Sequence, residues 1–229
     1  MKKVIDILGV DLSMNHGAFV LLRNGSLFDY RFVTDKSVLA KKDKARGEYL
    51  AASKIKDMVE RDFLRLAFWY AYSNQIFKEL PAEYMGIEGY AYRMSQNAHQ
   101  IGGVASIFRV KSWIRGLKIR VHGPETVKMF GADDGSAAKS EVRFAMHDKF
   151  PETKQFDKYA HGKGTMQFQI AEDLCDAYVV AQLVWLEVRL RLGLVDLKSL
   201  PPKTIQIFNR ITKRWPVNIL GRDWIQREQ

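Results

Sequence analysis

Ile7-Leu8-Gly9-Val10-Asp11-Leu12-Ser13 is the stretch whose reading decides the fold. From Val4 onward its residues are apolar on both alternating faces, the pattern of a strand covered on both sides of a sheet. The run stops on a carboxylate and turns into Met14-Asn15-His16-Gly17, so the acid stands where the strand leaves the sheet. The theme returns in Met85-Gly86-Ile87-Glu88-Gly89, a second short apolar strand ending on an acid, and in Asp173-Leu174-Cys175-Asp176, which opens an apolar helical stretch. Two strands and a helix thus deliver four carboxylates, the hard oxygen donors that a divalent-metal phosphodiesterase requires.

The elements around that first strand set the class. Gly17–Arg23 and Ser26–Val33 read as two further strands, and Asn24-Gly25 between them is a strong hairpin signal, giving an antiparallel three-strand meander. Lys36–Arg46 is polar and lacks periodicity. With Lys36, Lys41, Lys42, Lys44 and Arg46 against Asp43 alone, it reads as a basic loop suited to a polyanion. Ile55, Met58, Val59, Phe63, Leu66, Ala67, Tyr70 and Phe77 recur at threes and fours and predict a helix over Glu48–Leu80, closed by Pro81. A strand over Ala82–Glu88, a helix over Asn97–Arg115, a strand over Leu117–Val121 and a helix over Ala137–Phe150 follow. Pro151–Gly164 reads as a loop, and Gln169–Leu192 as a long apolar helix. The order predicts an α/β domain, with a mixed five-stranded sheet flanked by helices, over residues 1–195. Residues 196–229 form a basic C-terminal extension with Trp215 and Trp224, open to two readings: DNA binding, or packing as an added hairpin.

Composition narrows the function. The 229 residues suit one domain, and 47% hydrophobic residues suffice for its core. A formal charge of +10 favours a polyanionic partner, nucleic acid before an anionic membrane surface; the plainer reading is a basic solvated surface. The single cysteine, Cys175, excludes a disulfide framework and a cysteine-rich zinc site and fits a reducing compartment. The N-terminus is charged too early for a signal peptide, and no run approaches the roughly 18 apolar residues of a membrane span. The expectation is a soluble, cytoplasmic protein with no membrane partner.

Several stretches in order resemble the RuvC-type Holliday-junction resolvases of the ribonuclease H-like superfamily, phage-type members included. They are Gly9-Val-Asp-Leu-Ser13, Ile87-Glu-Gly-Tyr-Ala91, Gly102-Gly-Val-Ala105, Pro124-Glu-Thr-Val-Lys128, Gly135-Ser-Ala-Ala-Lys-Ser-Glu-Val142 and Asp173-Leu-Cys-Asp-Ala177. The resemblance implies Asp11, Glu88, Asp173 and Asp176 as metal-binding catalytic acids, and Lys128 and Lys139 as basic residues close to the scissile backbone. It also implies cleavage of four-way or other branched DNA, in recombination and repair. The longer helix after the third strand, the Pro151–Gly164 stretch and the tail depart from the family pattern. So does Ala91, flanked by Tyr90 and Tyr92, where family members can carry a junction-probing aromatic. Tyr90 and Tyr92 are taken as DNA-binding candidates beside it, together with Lys41, Lys42 and Lys44.

The chemistry fits the residues. Two Mg²⁺ ions about 3.5–4 Å apart, with Mn²⁺ as a substitute, can activate water and hold the leaving oxygen. Asp11 would bridge them, Glu88 and Asp173 would each hold one side, Asp176 would complete the set, and Lys139 would stabilise charge on the phosphate. Each acid also has a plainer reading: Asp11 as an Asx turn cap, Glu88 as a solvated strand end, Asp173 and Asp176 as first-turn acids facing a helix dipole. Asp6, five positions before Asp11, points to the opposite face of the strand. The histidines His16, His99, His122, His147 and His161 show no ligand spacing and read as structural or surface residues.

Two rivals from other classes are an actin-like ATPase or sugar kinase, whose Asp-x-Gly-Gly phosphate loop does not occur here, and a non-catalytic DNA-binding scaffold, which the acid set opposes. Paired cleavage of a four-way junction favours a C2 homodimer. The Asn97–Arg115 helix is the candidate interface, with the small residues Gly102, Gly103 and Ala105 and with Ile101, Val104, Ile107, Phe108 and Trp113 spread around it. The alternative is that the Glu48–Leu80 helix covers its second side within the monomer.

Overall fold

The computed structural model describes residues 3–35, 40–41, 43–89, 98–160 and 169–227. The strands are β1 (Asp6–Leu12), β2 (Gly17–Arg23), β3 (Ser26–Thr34), β4 (Gly47–Tyr49), β5 (Tyr84–Glu88) and β6 (Lys118–His122). The helices are α1 (Met58–Glu79), α2 (Ala98–Ile114), α3 (Pro124–Ala132), α4 (Lys139–Lys149), α5 (Gln169–Arg191) and α6 (Pro202–Asn209). The strands form one mixed sheet in the order β4-β3-β2-β1-β5-β6. β1, β2 and β3 are antiparallel, and β5 and β6 continue parallel to β1.

The meander turns where Asn24-Gly25 predicts it. Both residues have positive φ, 51° and 84°, as a type I′ hairpin demands. Among the described residues the sheet has six strands, not five. The added strand, β4, pairs parallel with Phe32–Thr34 of β3. Three residues are too few to show a period in sequence. Tertiary fit decides the matter, since a side chain at Gly47 would sit 2.6 Å from the Phe32 ring.

The helix expected from Glu48 begins instead at Met58, where the Asp57 side chain accepts the Glu60 N–H at 2.8 Å. Its buried face is Arg65, Trp69, Tyr72, Ser73 and Ile76. Met58, Val59, Phe63, Leu66 and Tyr70, whose spacing announces the helix, lie on an exposed face. The period is as expected, and it is carried by the exposed side because α1 is apolar on two sides. α3 is a helix that the apolar pattern does not announce: Pro124 occupies its first turn and Asp133 ends it in the left-handed region. Pro151–Tyr159, expected as loop, forms a 3-10 helix that buries Phe156 and Tyr159.

Side chains of β1 alternate between two cores. Leu8 and Val10 join Trp69, Tyr72, Ile76, Val104, Ala105 and Phe108 of α1 and α2. Ile7, with Ala18 and Val20 of β2, faces α5 together with α3, α4 and α6. The result is three layers, helices on both faces of a sheet. α1 covers one side of α2, where Lys111 Nζ donates to the Tyr70 carbonyl and, at 3.1 Å, to Asn74 Oδ1. Val110, Trp113 and Ile114 of α2 stay exposed.

The basic tail packs on the domain. Ile207, Phe208 and Ile219 join the α5 core, and Ile225 bridges to Ile119 at the sheet edge. Arg120 and Glu187 form a two-point ion pair in the interior, both essentially inaccessible. Arg120 also donates to the carbonyls of Arg222 and Asp223, and Arg191 to those of Ile219 and Arg222. Trp224 lies under both guanidinium groups. Among the described residues no helix is long and apolar enough to cross a membrane.

Candidate metal centre

β1 and β5 run parallel, with Gly9 opposite Gly86 and Val10 opposite Ile87. The two glycines flatten one face of the sheet, and α5 lies directly on it. A Cβ at Gly9 would come within 2.0 Å of the Ala177 carbonyl oxygen, and one at Gly86 within 2.6 Å of Val180 Cγ1. Ala177, Val180, Ala181 and Val184 are spaced as one helical stripe, and Asp173 and Asp176 continue it one turn earlier. Two residues past each glycine, on the same face, stand Asp11 and Glu88. Four carboxylates therefore converge where the parallel strands end, the usual place for a ligand in such sheets.

Ligand oxygens of Asp11, Glu88 and Asp176 all lie within 4.8 Å of one another. Asp173 joins them through Lys139, whose Nζ is 2.9 Å from Asp173 Oδ1, 3.1 Å from Asp176 Oδ2 and 3.6 Å from Asp11 Oδ2. Lys139 comes from the first residue of α4, where the Glu141 side chain accepts the Ala138 N–H in a capping arrangement. Its side chain is 45% exposed, although its ammonium lies among the acids.

The charges are unequal. Burial, then the neighbouring carboxylates Asp11 and Asp176, push Glu88 well above the ordinary carboxylate range. Burial also raises Asp11 against the pull of Lys139, and lifts Asp176 to about 7. For Asp173 burial again acts upward, but Lys139 and His16 together outweigh it and hold the acid down at about 2. Burial disfavours the Lys139 ammonium, yet the four acids keep it charged well above the usual lysine range. Four crowded carboxylates with one ammonium between them suit a divalent cation, and hard oxygen donors suit Mg²⁺ or Mn²⁺.

No family model matches the chain, and no curated protein does. Solved structures do match. The chain is similar to RuvC of Thermus thermophilus, in complex with a Holliday junction substrate, with a TM-score of 0.50 and 17% identity over 82% of this chain and 96% of that one. It is similar to Ydc2, the yeast mitochondrial Holliday junction resolvase, with a TM-score of 0.50 and 9% identity over 82% and 83%. The fold is that of RuvC.

Within this RuvC-like fold the five candidates Asp11, Glu88, Asp173, Asp176 and Lys139 come together. Lys128 is half-buried on α3, where its charge acts on Asp134 beside Lys203. Lys41 and Lys44 are exposed, whereas Lys42, Tyr90 and Tyr92 lie outside the described residues. Asp6 turns away from the acids and pairs with Arg23 at 2.9 Å. The residue missed in sequence is His16, whose Nδ1 is 2.8 Å from Asp173 Oδ2. Its signal was local: a Ser-x-x-His turn directly follows the strand that ends on Asp11. His122 is buried at the end of β6, and His147 stands 3.5 Å from Asp157.

Proposed function

We propose that this protein is a divalent-metal-dependent endonuclease that resolves four-way or other branched DNA. The observation that carries the reading is the convergence of Asp11, Glu88 and Asp176 at the ends of parallel strands, with Asp173 beside them, in a RuvC-like fold. When bound, a pair of Mg²⁺ or Mn²⁺ ions would supply the activated water and neutralise the leaving oxygen. Asp11, Glu88, Asp173 and Asp176 would hold them. The chain does the rest. Lys139, its side chain half exposed, would donate to a non-bridging phosphate oxygen. Exposed Lys41 and Lys44, with Lys42, Lys128, Tyr90 and Tyr92, would meet the DNA backbone and bases, consistent with the formal charge of +10.

A four-way junction offers two equivalent strands, which favours a C2 homodimer. Exposed Val110, Trp113 and Ile114 on α2 support that assembly. Light scattering at micromolar concentration should give twice the chain mass.

The acids test the reading. Asp11→Asn, Glu88→Gln and Asp176→Asn should each abolish cleavage of a synthetic junction while leaving binding intact or tighter, because each removes a negative charge facing DNA. Normal nicking by a folded variant takes that residue out of the site. A non-catalytic scaffold would show binding and no cleavage in any of them, wild type included.

A further inference from the structure

The turn after β1 places a histidine against the acid cluster, and the metal reading gives it no part. Ser13-Met14-Asn15-His16 closes on itself: the Ser13 N–H donates to the His16 carbonyl at 2.9 Å, the Ser13 hydroxyl donates to the same carbonyl at 2.9 Å, and the His16 N–H donates to Ser13 Oγ at 3.2 Å. Ser13 Oγ also lies 2.8 Å from His16 Nδ1; with the hydroxyl hydrogen on the carbonyl, the single Nδ1–H is shared between Ser13 Oγ and Asp173. That edge of the ring faces Asp173, 157 residues later in the chain, at 2.8 Å.

We infer that His16 is a positioning residue for the metal centre: its Nδ1–H holds Asp173 Oδ2 and so turns Oδ1 toward Asp11 and Asp176. The inference rests on the metal-dependent reading above. An ionised carboxylate only accepts, so Nδ1 carries the hydrogen in this contact. Asp173 then has one oxygen committed to the protein and one to the site. Lys139 Nζ marks where the second oxygen points, since one ammonium lies 2.9 Å from Asp173 Oδ1 while also reaching Asp176 at 3.1 Å and Asp11 at 3.6 Å. A cation drawn to those oxygens finds Asp173 already aimed. Without His16 the carboxylate keeps only its Lys139 contact, and its last torsion, broad and two-fold for an aspartate, is less restrained. Outer contacts of this kind fix the orientation of ligating groups in metal sites generally.

The test is Mn²⁺ binding to the full chain, by calorimetry or by the loss of free-ion EPR signal, with no DNA present. His16→Ala should weaken Mn²⁺ binding about 10- to 100-fold. His16→Asn, whose Nδ2–H occupies the place of the ring Nδ1–H, should restore most of it. In an Asp173→Asn background, His16→Ala should cost nothing further, because the histidine acts through that acid; a role confined to the turn would instead weaken both backgrounds equally. Wild-type affinity in folded His16→Ala, or an Asn variant as weak as the Ala variant, overturns the inference while leaving the metal reading standing. A wild-type protein that binds no Mn²⁺ overturns both.

Discussion

Replacing Gly9 with alanine adds one methyl group at the point where α5 rests on β1. Its Cβ would stand 2.0 Å from the Ala177 carbonyl oxygen, 2.8 Å from Ala181 Cβ and 2.9 Å from Ala181 N. Two of those three atoms are backbone, so no rotamer change relieves the contact. Reaching even 3.0 Å from the carbonyl oxygen requires the helix or strand to move by about 1 Å, and overpacking of this kind costs about 1–3 kcal/mol. Removing a glycine from a strand returns only about 0.5–1 kcal/mol, so the clash wins. The same shift carries Asp173 and Asp176 away from Asp11 and Glu88, and displacement of about 1 Å at a reacting centre can cost about 100-fold in rate. Gly9→Ala should therefore melt earlier in urea, bind Mn²⁺ more weakly and lose most cleavage activity. Gly123→Ala, where a Cβ meets nothing within 4 Å, is the control. A Gly9→Ala protein with wild-type melting and wild-type metal affinity would refute the seating of α5 from which the site was built.

Other expectations follow from the tail, from His122 and from the basic loop. Glu187→Gln strands the buried Arg120 charge and should destabilise the fold by about 3–5 kcal/mol, with early proteolysis after Asp196; urea titration with limited proteolysis checks both, and an unchanged midpoint would deny the clamp. Burial, then the cations Arg120 and Arg222, hold His122 down at about 3, against 6.5 when free. Its contribution to stability is thus complete above pH 6.5 and fades as pH falls toward 3, at up to about 1.4 kcal/mol per pH unit. Urea midpoints between pH 7 and 4 should fall less steeply in His122→Asn, and an identical slope would show that His122 titrates normally. Junction binding should weaken steeply with salt, and Lys41→Ala with Lys44→Ala should lower the log–log slope by about 2. An unchanged slope would leave both lysines off the DNA.

The strands and the acids were legible because their signals are local. Asn24-Gly25 specifies a hairpin by its positive φ values, and an apolar run ending on Asp11 or Glu88 needs no partner to be read. The convergence of those acids with Asp173 and Asp176 was only implied, since it depends on two glycines that let α5 touch the sheet. A glycine in a strand does not announce which helix approaches it. Which face of α1 is buried is not legible in sequence because the helix has two apolar faces, and Trp69 and Ile76 on one are no more hydrophobic than Phe63 and Leu66 on the other. β4 was too short to carry a period. His16 was passed over because its partner lies 157 residues away, a separation that no spacing rule spans.

The most direct measurement of the proposed function sets a synthetic four-way junction and a linear duplex of the same sequence side by side with the purified protein, in Mg²⁺, in Ca²⁺ and in EDTA. The account predicts cleavage of the junction in preference to the duplex with Mg²⁺, binding without cleavage with Ca²⁺, whose larger and looser shell misplaces the attacking water, and no cleavage in EDTA. Full activity in EDTA, or equal cutting of duplex and junction, would contradict it.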